Sequence, residues 1–358
     1  MDETLELLKK LMACEAISEK VENVNSAMEV MAEYLRSKNV CCKIEDINGR
    51  HSLYASTTPG KQQDVLLNTH LDVVPPSVPG QFTLKHHDGL YWGRGVHDDQ
   101  GPAICVAQVL AHYAGKPGLS AIFTADEEIG GSTTEAMVDL GYVPKRLGIV
   151  VDGPACCVAS AQKGILVLKL TAHGKGGHSS KPWNFENPID MLIDGYRRLK
   201  RDWRVKASAY NAWHNTMAPC IIEGGFVENQ IPDTASMVIN FRYTKPEDYD
   251  KLIEMVRKKT GLEVTVCRSC PPVVTKEENP LLQGLLKTLK KHYPNMNPRF
   301  VRMNGATDAR HLIKCNVPIA ITGLPGEGPH SAKEGLEEDA IEKYRNLLID
   351  FLDNYCFA

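Results

Sequence analysis

Short apolar runs, each closed by a charged or imidazole side chain, recur through the first half of the chain. DVLLNT (64–69) leads into His70, AIFTAD (121–126) into Glu127, and LGIVVD (147–152) ends on Asp152. Between the first two, GPAICVAQVLAHYA reads as a helix. Strands therefore alternate with helices, the pattern of an α/β domain with a mainly parallel sheet. In open sheets of that kind the ligand crevice lies beyond the carboxyl ends of the strands, where these polar residues stand.

The rhythm changes near Gly164 and returns near Pro272. ILVLKLTAHG predicts a strand, NPIDMLIDGYRRLKRDW a helix, APCIIEGGFV and ASMVINFRYT two strands, PEDYDKLIEMVRKKT a helix and LEVTVCRSC a strand. That order, β-α-β-β-α-β, is the split ferredoxin-like unit, which can fold as a compact insert. The expected organisation is a discontinuous α/β domain of residues 1–163 and 273–358 around an inserted ferredoxin-like domain, 164–272. NPLLQGLLKTLKKHY resumes the helix and strand alternation after the insert.

Bulk properties narrow the class. At 358 residues two domains are expected. The net charge of −3, with no long basic run, points to neither nucleic acid nor an anionic membrane as partner. Eleven cysteines, including the adjacent pairs Cys41-Cys42 and Cys156-Cys157, make a poor disulfide framework and suit a reducing cytoplasm. Cys267 and Cys270 form a lone CxxC without a second pair at zinc-ribbon spacing, and read as ordinary thiols. The acidic start Met1-Asp2-Glu3 reads as the beginning of an amphipathic helix rather than a signal peptide. No apolar stretch is long enough to cross a bilayer.

Candidate chemistry sits in five short segments. In NTHLDVVPP, His70 ends a strand and Asp72 is available to fix its tautomer. GRGVHDDQG places Asp98 and Asp99 in a glycine-flanked loop before a helix, where either could also cap the helix. In TADEEIGG, Asp126, Glu127 and Glu128 repel one another, so they face solvent or a cation neutralises them. If the backbone there is extended, the two glutamates point opposite ways. VVDGP and GPHSAKE contribute Asp152 and His330. Two imidazoles and three carboxylates at matching strand ends suit two zinc ions sharing one carboxylate.

The order HLD, GRGxxDD, DEEIGG, a strand ending in an acid, GGHSS, GGxxxN with a following FR, ATDAR and a late loop histidine resembles one zinc-dependent family. It is the family of acetylornithine deacetylase, succinyl-diaminopimelate desuccinylase, aminoacylase, glutamate carboxypeptidase and related dipeptidases, and the likeness runs from about residue 5 to 355. The resemblance implies two divalent ions, Zn²⁺ with Co²⁺ able to substitute. His70, Asp98 and Asp152 would hold one, and Asp98, Glu128 and His330 the other. It makes Glu127 the general base of an amide hydrolase and His178, in GKGGHSS, the donor to the oxyanion. Asn229, Arg242 and Arg310 match positions that bind the substrate's carboxylate or support the lid. The insert becomes a lid and dimerisation domain, and the protein a cytoplasmic homodimer in which His178 acts on the partner's site.

The substrate stays open between an N-acyl amino acid and a dipeptide. Asp152 stands where the deacylases carry Glu and is commoner among aminopeptidases and dipeptidases. Gln100 and His97 also replace the family's usual residues, His97 either supporting a metal ligand, facing the substrate or simply packed. The short lid and ATDAR resemble the deacetylase and desuccinylase branch. A catalytically inactive metal-binding module would have no use for a Glu127 that is not a ligand. A two-metal phosphoesterase should carry a basic phosphate cradle, which is not seen.

Overall fold

The computed structural model describes residues 3–203, 208 and 212–357. They divide into two compact units: Met1–Ala161, Val274–Val301 and Thr307–Ala358 form the first, and Gln162–Val273 with Arg302–Ala306 the second. The short segment Arg302–Ala306, expected in the α/β domain, belongs to the second unit.

The first unit is built on a mixed sheet whose centre is parallel. Gln62–His70 lies between Leu119–Thr124 and Val143–Ala155, and Ile319–Gly323 follows on the far side of Val143–Ala155, all in the same direction. Register pairs His70 with Thr124, so the three polar strand ends of the first half come out along one rim. Helix Gln100–His112 is buried on nearly every face because Glu3–Ala13 and Ala340–Phe351 cover the side that the sheet does not. An all-round apolar helix requires such double cover. Each Leu, Ile or Val it buries contributes roughly 1.5–3 kcal/mol.

Two additions were not anticipated. A hairpin, Cys41–Ile47 with Arg50–Ser56, extends the sheet by antiparallel pairing. Its corner, Asn48-Gly49 at φ +55° and +85°, is the residue pair that a two-residue turn of that hand demands. A small four-stranded sheet joins Gly326–Glu327, Gly335–Glu337, Leu90–Trp92 and Lys85–His87.

The second unit follows the expected β-α-β-β-α-β order. Its sheet runs Thr216–Gly224, Thr234–Tyr243, Gly164–His173, Glu263–Cys270, antiparallel throughout. Leu166, Leu168 and Leu170 alternate with half-buried residues, as do Met237, Ile239 and Phe241 opposite them, so one face of the sheet is apolar. Leu192 and Leu199 of helix Pro188–Asp202 and Leu252 and Val256 of helix Asp248–Thr260 complete that core. Asn187 caps the first helix by accepting the amide of Ile189 at 3.0 Å. Gly261, at φ +69°, ends the second.

Among the described residues no helix is long and apolar enough to cross a membrane. None of the eleven cysteines is joined in a disulfide.

Candidate metal centre

Strand Gln62–His70 delivers His70, buried, at its last position. The backbone oxygen of Asp72 lies 2.9 Å from Nδ1. A carbonyl can only accept, so Nδ1 carries a proton and Nε2 is the nitrogen turned to the site. The Asp72 side chain is fully buried and holds three groups: Ser18 Oγ at 2.7 Å, the amide of Glu127 at 3.1 Å and that of Glu128 at 3.3 Å. One carboxylate thus ties the end of one strand to the turn after its neighbour.

Asp98 lies between the two imidazoles. Its Oδ1 is 3.1 Å from His70 Nε2, and its Oδ2 is 3.1 Å from His330 Nε2. Burial would raise the Asp98 carboxyl, but the hydrogen bonds from His330 and His70 outweigh it and hold the group well below the usual carboxylate range. The Asp98–Asp99 peptide is cis. Asp99 occupies the N-cap position of helix Gln100–His112 without capping it. Its carboxylate instead takes the Thr69 hydroxyl and, at 3.2 Å, the amide of His70. His330 itself sits at φ +61°, a conformation that costs a non-glycine residue energy and that clusters at functional sites. Its Nε2 is also 2.9 Å from Glu128 Oε1. Hydrogen bonds with Asp98 and Glu128 push the imidazole up to about 10.

The acidic run after Leu119–Thr124 is not extended. Glu127–Ile129 form a 3₁₀ turn, so simple alternation does not separate the two glutamates. The turn is imposed from both sides: Asp72 gathers the amides of Glu127 and Glu128, while the Asp126 carboxylate takes the amide of Thr133, at 3.1 Å, and the Ser132 and Thr133 hydroxyls at the start of helix Ser132–Asp139. Glu128 then reaches His330. Glu127 turns to Arg310, whose buried Nη2 is 3.3 Å from Oε1. Burial, then the neighbouring Asp308 charge, pushes the Glu127 carboxyl up to about 8.

Asp152 lies near the end of Val143–Ala155, and desolvation, reinforced by the Asp98 charge, pushes its carboxyl well above the ordinary value. Donor atoms of His70, Glu127 and Asp152 fall within 4.8 Å of one another, as do those of His70, Asp98 and Glu128. This donor set fits divalent ions. Ligand atoms about 2.0–2.1 Å from a tetrahedral zinc are about 3.3 Å apart, close to the spacing of the two imidazoles from Asp98. Four crowded carboxylates would also be relieved of mutual repulsion by a cation. Glu127 is near enough to His70 and Asp152 to be a ligand as well as a base.

The other expected residues belong to the second unit or stand behind the cluster. His178 pairs with Gln230 in a two-stranded ribbon, and the Asn229 oxygen accepts the Ser179 amide at 3.0 Å, so His178 and Asn229 are neighbours. His178 is exposed, with Ser180 Oγ 2.9 Å from its Nδ1. Arg242 lies on Thr234–Tyr243 opposite Ile165 and Thr216. Arg310 is buried and faces Glu127 and Asp308 rather than open space. His97 is half-buried, its Nε2 3.3 Å from the Leu324 oxygen. Sequence reasoning missed Arg94 and Glu334, a buried ion pair behind the Asp98 loop. The only signal was that each lies inside a motif already singled out, GRGVHDD and GPHSAKE.

Residues 66–354 match the model of Peptidase family M20/M25/M40. A probable succinyl-diaminopimelate desuccinylase of Staphylococcus epidermidis is 26% identical, over 94% of this chain and 95% of that protein. A metallo-carboxypeptidase of the same family from Sulfolobus solfataricus shares the fold with a TM-score of 0.78 at 18% identity, over 100% of both chains. So does a dinuclear metal-binding peptidase of the family from Bacillus subtilis, with a TM-score of 0.67 at 14% identity and 97% of both chains covered.

Proposed function

This chain belongs to Peptidase family M20/M25/M40 and is a hydrolase of that family, and from that premise we propose that it uses two metal ions to cleave the amide bond of an N-acyl amino acid. The observation that carries the reading is Asp98, each of whose oxygens faces one imidazole at 3.1 Å. A carboxylate placed in that way serves two ions at once. His70 and Asp152 are the further ligands on one side, Glu128 and His330 on the other. Zn²⁺ is the ion that the imidazole and carboxylate donors suit best, with Co²⁺ a substitute.

The chemistry that two divalent ions supply in such a site is polarisation of a carbonyl and acidification of a water. Glu127 takes a proton from the attacking water and returns it to the leaving amine. Asp72 holds the Glu127 amide, and Arg310 holds one of its carboxylate oxygens, leaving the other for the transfer. His178 donates to the oxygen on which negative charge develops. Asn229 and Arg242 bind the substrate's carboxylate, and Arg310 is the third residue assigned to it by the resemblance.

The second unit serves as lid and dimerisation domain in this reading. Its edge strand Thr216–Gly224 leaves Ile221 and Ile222 exposed, and Phe226 beyond it is fully exposed. A long apolar edge is a liability unless another chain covers it. Eleven cysteines with no evident disulfide framework in the sequence suit a cytoplasmic enzyme.

A second reading, a dipeptidase or aminopeptidase, is favoured by the Asp at 152. Rates of purified protein against acetylornithine, succinylated diamino acids, other acylated amino acids and dipeptides decide between them. Turnover of dipeptides alone would replace the deacylase reading. No turnover of any amide would leave the inactive metal-binding module.

A further inference from the structure

The loops that carry Asp98 and His330 meet over one carboxylate that belongs to neither ligand set. Glu334 lies four residues after His330 and is fully buried on its side chain. Its Oε1 accepts three amides of the Asp98 loop, those of Gly95 at 2.8 Å, His97 at 3.2 Å and Asp98 at 3.2 Å. Its Oε2 accepts from Arg94 Nη1, and its backbone oxygen takes the Gly93 amide at 3.1 Å. Arg94 continues the tie to a third segment. Nη2 donates to Ser77 Oγ at 3.1 Å and to the Pro75 oxygen at 3.3 Å, and its amide donates to the Gln81 oxygen at 2.8 Å. Gln81 closes the circuit by donating from Nε2 to the Ser331 oxygen at 2.7 Å, next to His330.

A buried ion pair rarely stabilises a fold more than apolar side chains of the same shape would, so stability is a poor account of this one. What it does geometrically is specific. The loop 93–98 contains two glycines at positive φ, Gly93 at +157° and Gly95 at +89°, whose backbone freedom leaves the path to be fixed by its partners. Convergence of its amides on Oε1 fixes that path, and Glu334 is placed by the same loop that places His330.

We propose that Glu334, oriented by Arg94, is a positioning residue that sets the separation of Asp98 from His330 and so the affinity of the site for its second metal ion. This rests on the reading of Asp98 as the shared ligand. Carboxylates and carbonyls that orient metal ligands typically change affinity 10–100-fold when removed.

The test uses the full chain stripped of metal and titrated with Zn²⁺ against a chromophoric chelator, with thermal melting of the metal-free protein alongside. Glu334→Ala removes the acceptor for the three amides, and the second Zn²⁺ should bind about 10–100-fold more weakly. Glu334→Gln keeps an amide oxygen for them but loses the charge facing Arg94. It should melt as low as Glu334→Ala yet recover most of the Zn²⁺ affinity. Affinity then follows the acceptor while stability follows the charge, a split that a merely structural staple would not produce. If Glu334→Ala gives no folded protein, Glu334→Asp replaces it, keeping the charge but withdrawing the oxygens by one methylene, with the same loss of affinity expected. Zn²⁺ affinity unchanged in Glu334→Ala or Glu334→Asp overturns the proposal. Asp98→Asn measured in parallel separates the two levels: if it still binds two ions at full affinity, the shared-ligand reading itself fails.

Discussion

Nη2 of Arg310 stands 3.3 Å from Oε1 of Glu127, and the same nitrogen lies 3.5 Å from Oδ1 of Asp308. The guanidinium, almost wholly buried, therefore bridges two carboxylates, one of which is the proposed base. Asp308 is itself anchored by the hydroxyls of Thr124 and Thr134. The orientation of Glu127 is thus set from behind the cluster.

That arrangement bears first on Glu127→Gln. The amide keeps the shape of the side chain but cannot take a proton, so kcat should fall on the order of 10²-fold or more while KM stays nearly unchanged. Metal analysis of the same preparation should still find two ions. One ion missing would make Glu127 a ligand, an alternative that its proximity to His70 and Asp152 makes worth measuring.

Arg310→Met discriminates two roles for the arginine. If the guanidinium mainly holds Glu127, kcat should drop and KM should change little. A substrate-carboxylate role would show as a rise in KM instead. Either way the variant should be destabilised, by about 3–5 kcal/mol, since Glu127 and Asp308 lose their common buried partner. Denaturant melts would show it.

Exhaustive chelation should abolish activity, and Zn²⁺ or Co²⁺ should restore it, with a stoichiometry of two per chain. Full turnover in a demonstrably metal-free sample would sink the mechanism. Asp98→Asn should be the most damaging ligand substitution, because its two oxygens face both imidazoles, whereas Asp152→Asn should spare one ion.

His178 lies in the second unit and is exposed, its Nδ1 accepting the Ser180 amide at 3.2 Å with Ser180 Oγ 2.9 Å away. The family resemblance implies that this histidine acts on the site of a partner subunit. Mixing Glu127→Ala and His178→Ala subunits should therefore recover activity: with random exchange about half the dimers are mixed, and roughly a quarter of all sites regain both groups. Verified mixed dimers without recovery would confine His178 to its own chain.

Much of this was legible in the residues alone. The runs ILVLKLTAHG and ASMVINFRYT picked out the strands Gly164–His173 and Thr234–Tyr243, and the order of elements marked the insert, because element type is carried by local sequence. The order of the motifs pointed to the family, and strand ends located His70 and Asp152 because apolar runs stop where the sheet meets its crevice. What a carboxylate meets from a distant loop is not periodic. The resemblance already grouped Asp98 with both His70 and His330, and Glu128 with His330; only the tertiary structure turned Glu127 towards Arg310 and buried Arg94 against Glu334. Those relations depend on strand order and on which loop closes over which, and no window of neighbouring residues carries that information. The 3₁₀ turn at Glu127–Ile129 is the clearest case: the acidic run reads as an extended strand end until Asp72, far earlier in the chain, is brought in to gather the amides of Glu127 and Glu128.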